Sequence, residues 1–395
     1  MTTPISNIKH IKSDELKKFS KEVFDFVNFY SSNSYLAIGN AQYKHFSSKR
    51  LIVISSTKIE KLCAFDYIFG YGNIYIMQYS CIEETYRAYV QYTKTPSVVF
   101  VEPDAPIYLR ESNLQILTHH ELNNQHSWGF DYLRCKDAFD YILHNKSIDE
   151  LPEIVVGVID DGIESVGSVF RNRLLATHSF VGNSSQAPIS NMGHGASVCS
   201  VLMENTLENV KVISYKIFSE RETALAILRL AEIQAELDGV DIVNSSYGMF
   251  VKFESRLQKP LHIASAGNAK CNIPQYPAAC NGVVSVAGIT KDGVLSDSSS
   301  FGDWVDVAAP SENIKLPSIY EANEFGEFSG TSCATPFVTS VCAMIKTQYP
   351  DLNNQQIKEV LYNSCNKANI PVQHGIVNMF NAVAHLYNQP PCKTV

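Results

Sequence analysis

From Ile154 onward the chain alternates short apolar runs with helix-compatible stretches, and that rhythm leaves few folds open. The runs Ile154 to Ile159, Val210 to Ile217, Val240 to Asn244, Leu261 to Ser265 and Val283 to Ala287 are almost continuously apolar, as strands covered on both faces must be. Helical stretches lie between them, notably Ala224 to Leu237. The alternation predicts an α/β domain, a parallel sheet with helices on both faces. Such sheets bind ligands outside the carboxyl ends of their strands. There the runs meet polar residues: Asp160 after Ile159, Asn244 after Val243, and Gly267 and Asn268 after Ser265.

The preceding region has a different texture. Leu51 to Ser55, Ile74 to Tyr79 and Ser97 to Glu102 read as strands, Glu83 to Thr93 as a helix, and the run after Lys58 is helix-compatible. Pro103 and Asp104 end the set, which predicts a small α+β module. Residues 1–49 form an extension before it, and Asp14 to Phe29 within them is patterned as an amphipathic helix.

Composition narrows the partners. Hydrophobic residues make up 45% of the 395 and charged residues 18%, so there is ample core. With 32 basic against 40 acidic residues the net charge is −8, which disfavours nucleic acid and anionic lipid as partners. No window of about 20 apolar residues reads as a membrane span, and no continuous apolar run near Met1 reads as an export signal. The ten cysteines contain no Cys-x-x-Cys pair and no zinc-type spacing, and several, such as Cys199 and Cys342, sit in apolar runs. Free thiols in a reducing compartment are therefore expected, with the protein in the cytoplasm.

Residues 328–337 read Phe-Ser-Gly-Thr-Ser-Cys-Ala-Thr-Pro-Phe, and apolar residues continue through Val338, Val341, Ala343, Met344 and Ile345. This places Ser332 at the mouth of a buried helix, with Pro336 expected in its first turn. A serine hydroxyl needs a base to become a nucleophile, and the oxyanion it creates needs donors, which a helix N-terminus carries. Alone, the motif reads more readily as a helix cap without chemistry. Among the eleven histidines, only His194 lies between glycines, Gly193 and Gly195, ahead of an apolar helical run. Asp160 closes a buried strand, and because strand side chains alternate between faces, its neighbour Asp161 is expected to point elsewhere.

The order Asp160, His194, Ser332 is one of those in which the acyl-transfer triad occurs. With it come Val158-Ile159-Asp160-Asp161-Gly162, Asn244-Ser245-Ser246-Tyr247-Gly248, Ala264-Ser265-Ala266-Gly267-Asn268, Tyr276-Pro277-Ala278, Asp306-Val307-Ala308-Ala309-Pro310 and Gly330-Thr331-Ser332-Cys333-Ala334-Thr335-Pro336. On these motifs, from about Trp128 to Asn378, the chain resembles the subtilisin-like serine proteases.

The resemblance implies a serine endopeptidase acting on peptide or protein substrates. Ser332 would be the nucleophile, His194 the base, Asp160 its orienting acid and Asn268 an oxyanion donor. Ser246, Tyr247 and Gly248 would offer an edge to the substrate backbone, and Gly267 would line the specificity pocket. Residues 50–110 resemble the family's ferredoxin-like inhibitory propeptide, which ends here at Phe100-Val101-Glu102-Pro103-Asp104 and would act as an intramolecular inhibitor. Residues 111–127 would be a linker and 128–395 the catalytic domain, with self-cleavage between Tyr108 and Gln125. No cofactor is implied, and the short segment after His194 lacks the family's calcium loop. Glu220 and Glu222 flank the expected substrate edge. A catalytically silent relative, using the same groove as a binding or signalling scaffold, is the alternative.

Overall fold

The computed structural model describes residues 49–56, 67–71, 74–109, 113–117, 127–144, 146–163, 172–181, 193–218, 222–317 and 325–384. The expected extension up to Ser48, the run after Lys58 and Glu220 lie outside them.

The first unit consists of β1 (Arg50–Ser55), β2 (Tyr67–Tyr71), β3 (Ile74–Gln78), α1 (Ile82–Tyr92) and β4 (Val98–Pro103). Its strands form one antiparallel sheet in the order β2-β3-β1-β4. Leu51 and Val53 of β1 pack with Met77 and with Tyr92 of α1, while Ile52 and Ile54 face the opposite way, into the core of the second unit. The period-two alternation of β1 thus builds the small module and fastens it to its neighbour. The sequence did not mark β2, a short run of aromatic residues and glycine.

Two strands follow, β5 (Pro106–Leu109) and β6 (Asn113–Leu117). The α/β unit then runs through α2 (Trp128–Tyr132), α3 (Cys135–Leu143), β7 (Ile154–Asp160), β8 (Leu174–Ser179), α4 (His194–Glu204), β9 (Val210–Lys216), β10 (Glu222–Ala224) and α5 (Leu225–Asp238). It continues through β11 (Ile242–Ser245), β12 (Tyr247–Gly248), β13 (Leu261–Ser265), β14 (Val284–Ile289), β15 (Val307–Pro310), β16 (Ile314–Pro317) and β17 (Phe325–Ser329). The described residues end with α6 (Thr331–Gln348), α7 (Asn354–Ser364), β18 (Gly375–Ile376) and α8 (Met379–Ala384).

The main sheet has eight strands in the order β18-β15-β14-β13-β11-β7-β9-β8, all parallel. Alternating side chains split its core in two. Val156, Val158, Val212 and Ile263 face α4 and the almost entirely buried α6, whereas Ile159, Tyr215 and Val243 face α5. The fold is therefore α/β with helices on both faces. Strand order reverses around β7, where β9 and β11 lie on opposite sides, so a crevice opens at the carboxyl end of β7. Asp160 is the last residue of that strand.

Candidate active site

Three elements converge on this crevice. His194 is the first residue of α4 and Ser332 the second of α6, and Asn268 follows β13 by three residues. Nδ1 of His194 lies 2.7 Å from Oδ1 of Asp160, a carboxylate with no solvent exposure. The other Asp160 oxygen and His194 Nε2 have no hydrogen-bond partner among the described residues. The Phe328 ring stands edge-on to the imidazole at 5.6 Å and closes its flank. Burial opposes the imidazolium, but the Asp160 charge and hydrogen bond, with Asp161 beyond, outweigh it and raise the His194 pKa above the ordinary value.

The Ser332 hydroxyl donates to the Ser246 carbonyl at 3.1 Å, and the Ser246 hydroxyl donates to the Ser332 carbonyl at 3.2 Å. Pro336 explains the second bond. The sequence placed this proline in the first helical turn, but α6 begins at Thr331 and Pro336 falls in its second turn. There its missing N–H deprives the Ser332 carbonyl, four residues back, of its helical partner. The Ser246 hydroxyl takes that place, and it also accepts from Nδ2 of Asn244 at 3.1 Å.

Asn268 is held by Thr331, whose place in the motif around Ser332 does not by itself reveal this role. Oδ1 of Asn268 accepts from the Thr331 N–H at 2.9 Å and from its hydroxyl at 2.7 Å, while Oγ1 of Thr331 accepts from the Gly267 N–H at 3.2 Å. With the oxygen bound there, the amide nitrogen is directed past Gly330, whose Cβ, if present, would lie 3.0 Å from Nδ2. Gly330 has φ +115, a conformation that favours glycine. Gly267, at φ +104, packs its Cα against the fully buried amide of Gln275, a residue without a signal in the sequence.

The edge of Ser246, Tyr247 and Gly248 is already paired. In β12, Tyr247 opposes Leu109 and Gly248 opposes Tyr108 of β5, whose other side pairs with β10 at Glu222. β5 is thus the middle strand of a three-stranded antiparallel sheet, and β6 pairs with β17 just ahead of the nucleophile candidate. β5 therefore lies along β12, next to Ser246, and β6 along β17, the strand that leads into α6.

Among the described residues, no cluster of three or more His, Cys, Asp or Glu could hold a metal ion, and no helix is long and apolar enough to cross a membrane. The described cysteines are unpaired, and Cys135, Cys199, Cys280, Cys333, Cys342 and Cys365 are buried. A buried cysteine packs as a small, inert hydrophobe, so these residues do not report location.

The subtilase family model matches residues 152–380, from just before β7 into α8. The chain is 24% identical over 340 residues to the thermostable alkaline protease of Halalkalibacterium halodurans, covering 82% of this chain and 86% of that protein. It is 26% identical over 253 residues to thermitase of Thermoactinomyces vulgaris, covering 58% and 88% respectively. It is 24% identical over 236 residues to the cell wall-associated protease of Bacillus subtilis, covering 54% of this chain and 26% of that one. A relative at the cell wall overturns the expected cytoplasmic location, which rested on unpaired cysteines and an unseen leader, neither of which fixes a compartment. The parallel sheet, the site at its switch point and the family match over the whole α/β core lead to one conclusion: this chain belongs to the subtilase family and is a serine endopeptidase.

Proposed function

We propose that the chain hydrolyses peptide bonds through Ser332, His194 and Asp160, with Asn268 at the oxyanion, and that it is made as a self-inhibited zymogen. The observation that carries the reading is the 2.7 Å contact between His194 and the solvent-free Asp160 at the mouth of α6. Asp160 holds Nδ1–H and supports the imidazolium, leaving Nε2 to take the proton of Ser332 as its hydroxyl turns from the Ser246 carbonyl and attacks. His194 then returns the proton to the leaving amine, and water repeats the cycle on the acyl-enzyme. The Asn268 amide and the Ser332 N–H, at the positive end of α6, stabilise the developing oxyanion. Substrate adds as a strand to the edge of Ser246, Tyr247 and Gly248, beside Gly267.

In the zymogen, β5 occupies that edge. Two acids of the first unit reinforce the docking. Glu102 forms a two-pronged pair with the buried Arg229 of α5, at 2.6 and 2.8 Å. Asp104 accepts from the Ala226 N–H at 3.0 Å, capping α5, whose own N-cap residue, Ala224, has no side chain to do so. Self-cleavage falls between Leu109 and Asn113, the interval separating the strand on one edge from the strand on the other. Labelling of the matured protein by a fluorophosphonate, mapped to Ser332, tests the catalytic assignment. Absence of label, together with a full-length chain that persists in both native and Ser332→Ala protein, would point to a silent scaffold.

A further inference from the structure

The glycines on either side of His194 make room for a group that the proposed reaction leaves unused. Asp161 sends its carboxylate to the start of α4, where Oδ2 accepts from the His194 N–H at 3.1 Å and Oδ1 from the Gly195 N–H at 2.6 Å. A Cβ on residue 195 would lie 2.8 Å from Oδ1 and 3.2 Å from the Asp160 Cβ. Gly193 lies against the same carboxylate. The helix has no cap of its own, because its N-cap residue is Gly193 and its first turn contains no acid. An anion supplied by the adjacent strand end satisfies two orphan N–H groups and complements the helix dipole. His194 is therefore gripped twice by consecutive residues of one strand end, Asp160 on its ring and Asp161 on its main chain.

We propose that Asp161 is a positioning residue for the hydrolytic reaction: its ionised carboxylate fixes the backbone from which the His194 ring projects, and its protonation releases that backbone. The inference rests on the reading of His194 as the base. Burial first, and then the Asp160 charge, push the Asp161 carboxyl up to about 6, despite His194 and the two backbone donors acting the other way. The charged and titratable groups around it are Asp160 on its own strand end, His194 and Cys199 on α4, and Lys216 of β9, which packs against Gly162. Asp161 therefore gains its proton on the acid side of His194, whose pKa is raised above the ordinary value. Because each protonation disables the same base, activity is lost through two linked protons.

The test is the pH dependence of kcat/KM for the full chain, allowed to mature, as wild type, Asp161→Asn and Asp161→Glu. Wild type is expected to lose activity along a two-proton acid limb. Asp161→Asn is expected to show a one-proton limb and a kcat lowered by about 10²-fold, the scale of a misplaced catalytic group, with KM little changed. Asp161→Glu should recover most of the kcat. A one-proton limb in wild type overturns the proposal and needs no variant to fold. So does an Asp161→Asn protein that keeps its kcat or loses only substrate binding. These results would leave the serine protease reading intact, whereas no hydrolysis at any pH and no fluorophosphonate label would sink both.

Discussion

Ser246 and Ser332, 86 residues apart in the chain, exchange hydrogen bonds: each hydroxyl donates to the other's carbonyl. One bond parks the hydroxyl of the proposed nucleophile and the other fills the gap that Pro336 leaves in α6. Ser246→Ala should therefore strand a buried carbonyl. We expect a loss of about 1–3 kcal/mol, the usual cost of an unsatisfied buried group, read as a lower urea midpoint. An unchanged midpoint would mean that the Ser332 carbonyl finds another donor.

Asn268 should act on the transition state and hardly on substrate binding. Asn268→Ala is expected to lower kcat by about 10²–10³-fold with KM little changed. Thr331→Val, which removes the hydroxyl bridging Gly267 and Asn268 but keeps the N–H, should cause a smaller loss of the same kind. Steady-state kinetics on a single peptide substrate compares the two, and a KM effect in place of a kcat effect would contradict the assignment.

The raised pKa of His194 sets opposite pH trends for activity and stability. The proposed base must be the neutral ring, so the acid limb of kcat/KM should lie above the ordinary histidine value of 6.5. The His194–Asp160 pair, in contrast, stabilises the fold fully below the unfolded value, and that contribution is lost as pH rises through the folded pKa. Asp160→Asn should remove this pH-dependent stability and reduce kcat by about 10⁴-fold. Chemical denaturation at several pH values, run beside the kinetics, checks the sign.

Glu102 and Arg229 join the first unit to the second in a setting shielded from solvent. Arg229 also pairs with Glu232 at 2.6 Å and donates to the Glu254 carbonyl at 2.9 Å, while Arg256 stacks on the Phe100 ring at 3.5 Å. Removing one partner of such a buried pair costs about 3–5 kcal/mol. Glu102→Gln should thus loosen the docking of β1 and β4. Hydrogen exchange across Arg50–Ser55 in the full chain would then rise, whereas unchanged protection would show that the apolar contacts of Ile52 and Ile54 suffice.

Self-cleavage should leave a new N-terminus among residues 110–113 in the native protein and none in Ser332→Ala. Intact-mass and N-terminal analysis after purification reads this directly. A terminus beyond Asn113, or the same product from the Ser332→Ala chain, would refute cleavage at the paired-strand gap.

Much of the α/β unit was legible because its strands are buried on both faces and so spell uninterrupted apolar runs, and because a parallel sheet places functional groups at strand ends. Asp160 and Asn268 were visible on that ground, and His194 and Ser332 through the glycines at helix starts. The weaker strands were not. β8 lies at a sheet edge with mostly half-exposed or exposed side chains, and β2, β16 and β17 are runs of only four or five residues in small sheets, too short to stand out.

By itself, then, the sequence determined the strand-and-helix order, the strand ends at which chemistry gathers and the residue types that meet there, since these follow from local periodicity and turn-forming residues. Only the tertiary structure decided what holds each group in place. Thr331 under Asn268, Ser246 in place of the missing Pro336 donor, Asp161 on the His194 backbone and Glu102 on Arg229 all join distant segments. Such bonds depend on angles and separations of a few ångströms, which no spacing along the chain encodes.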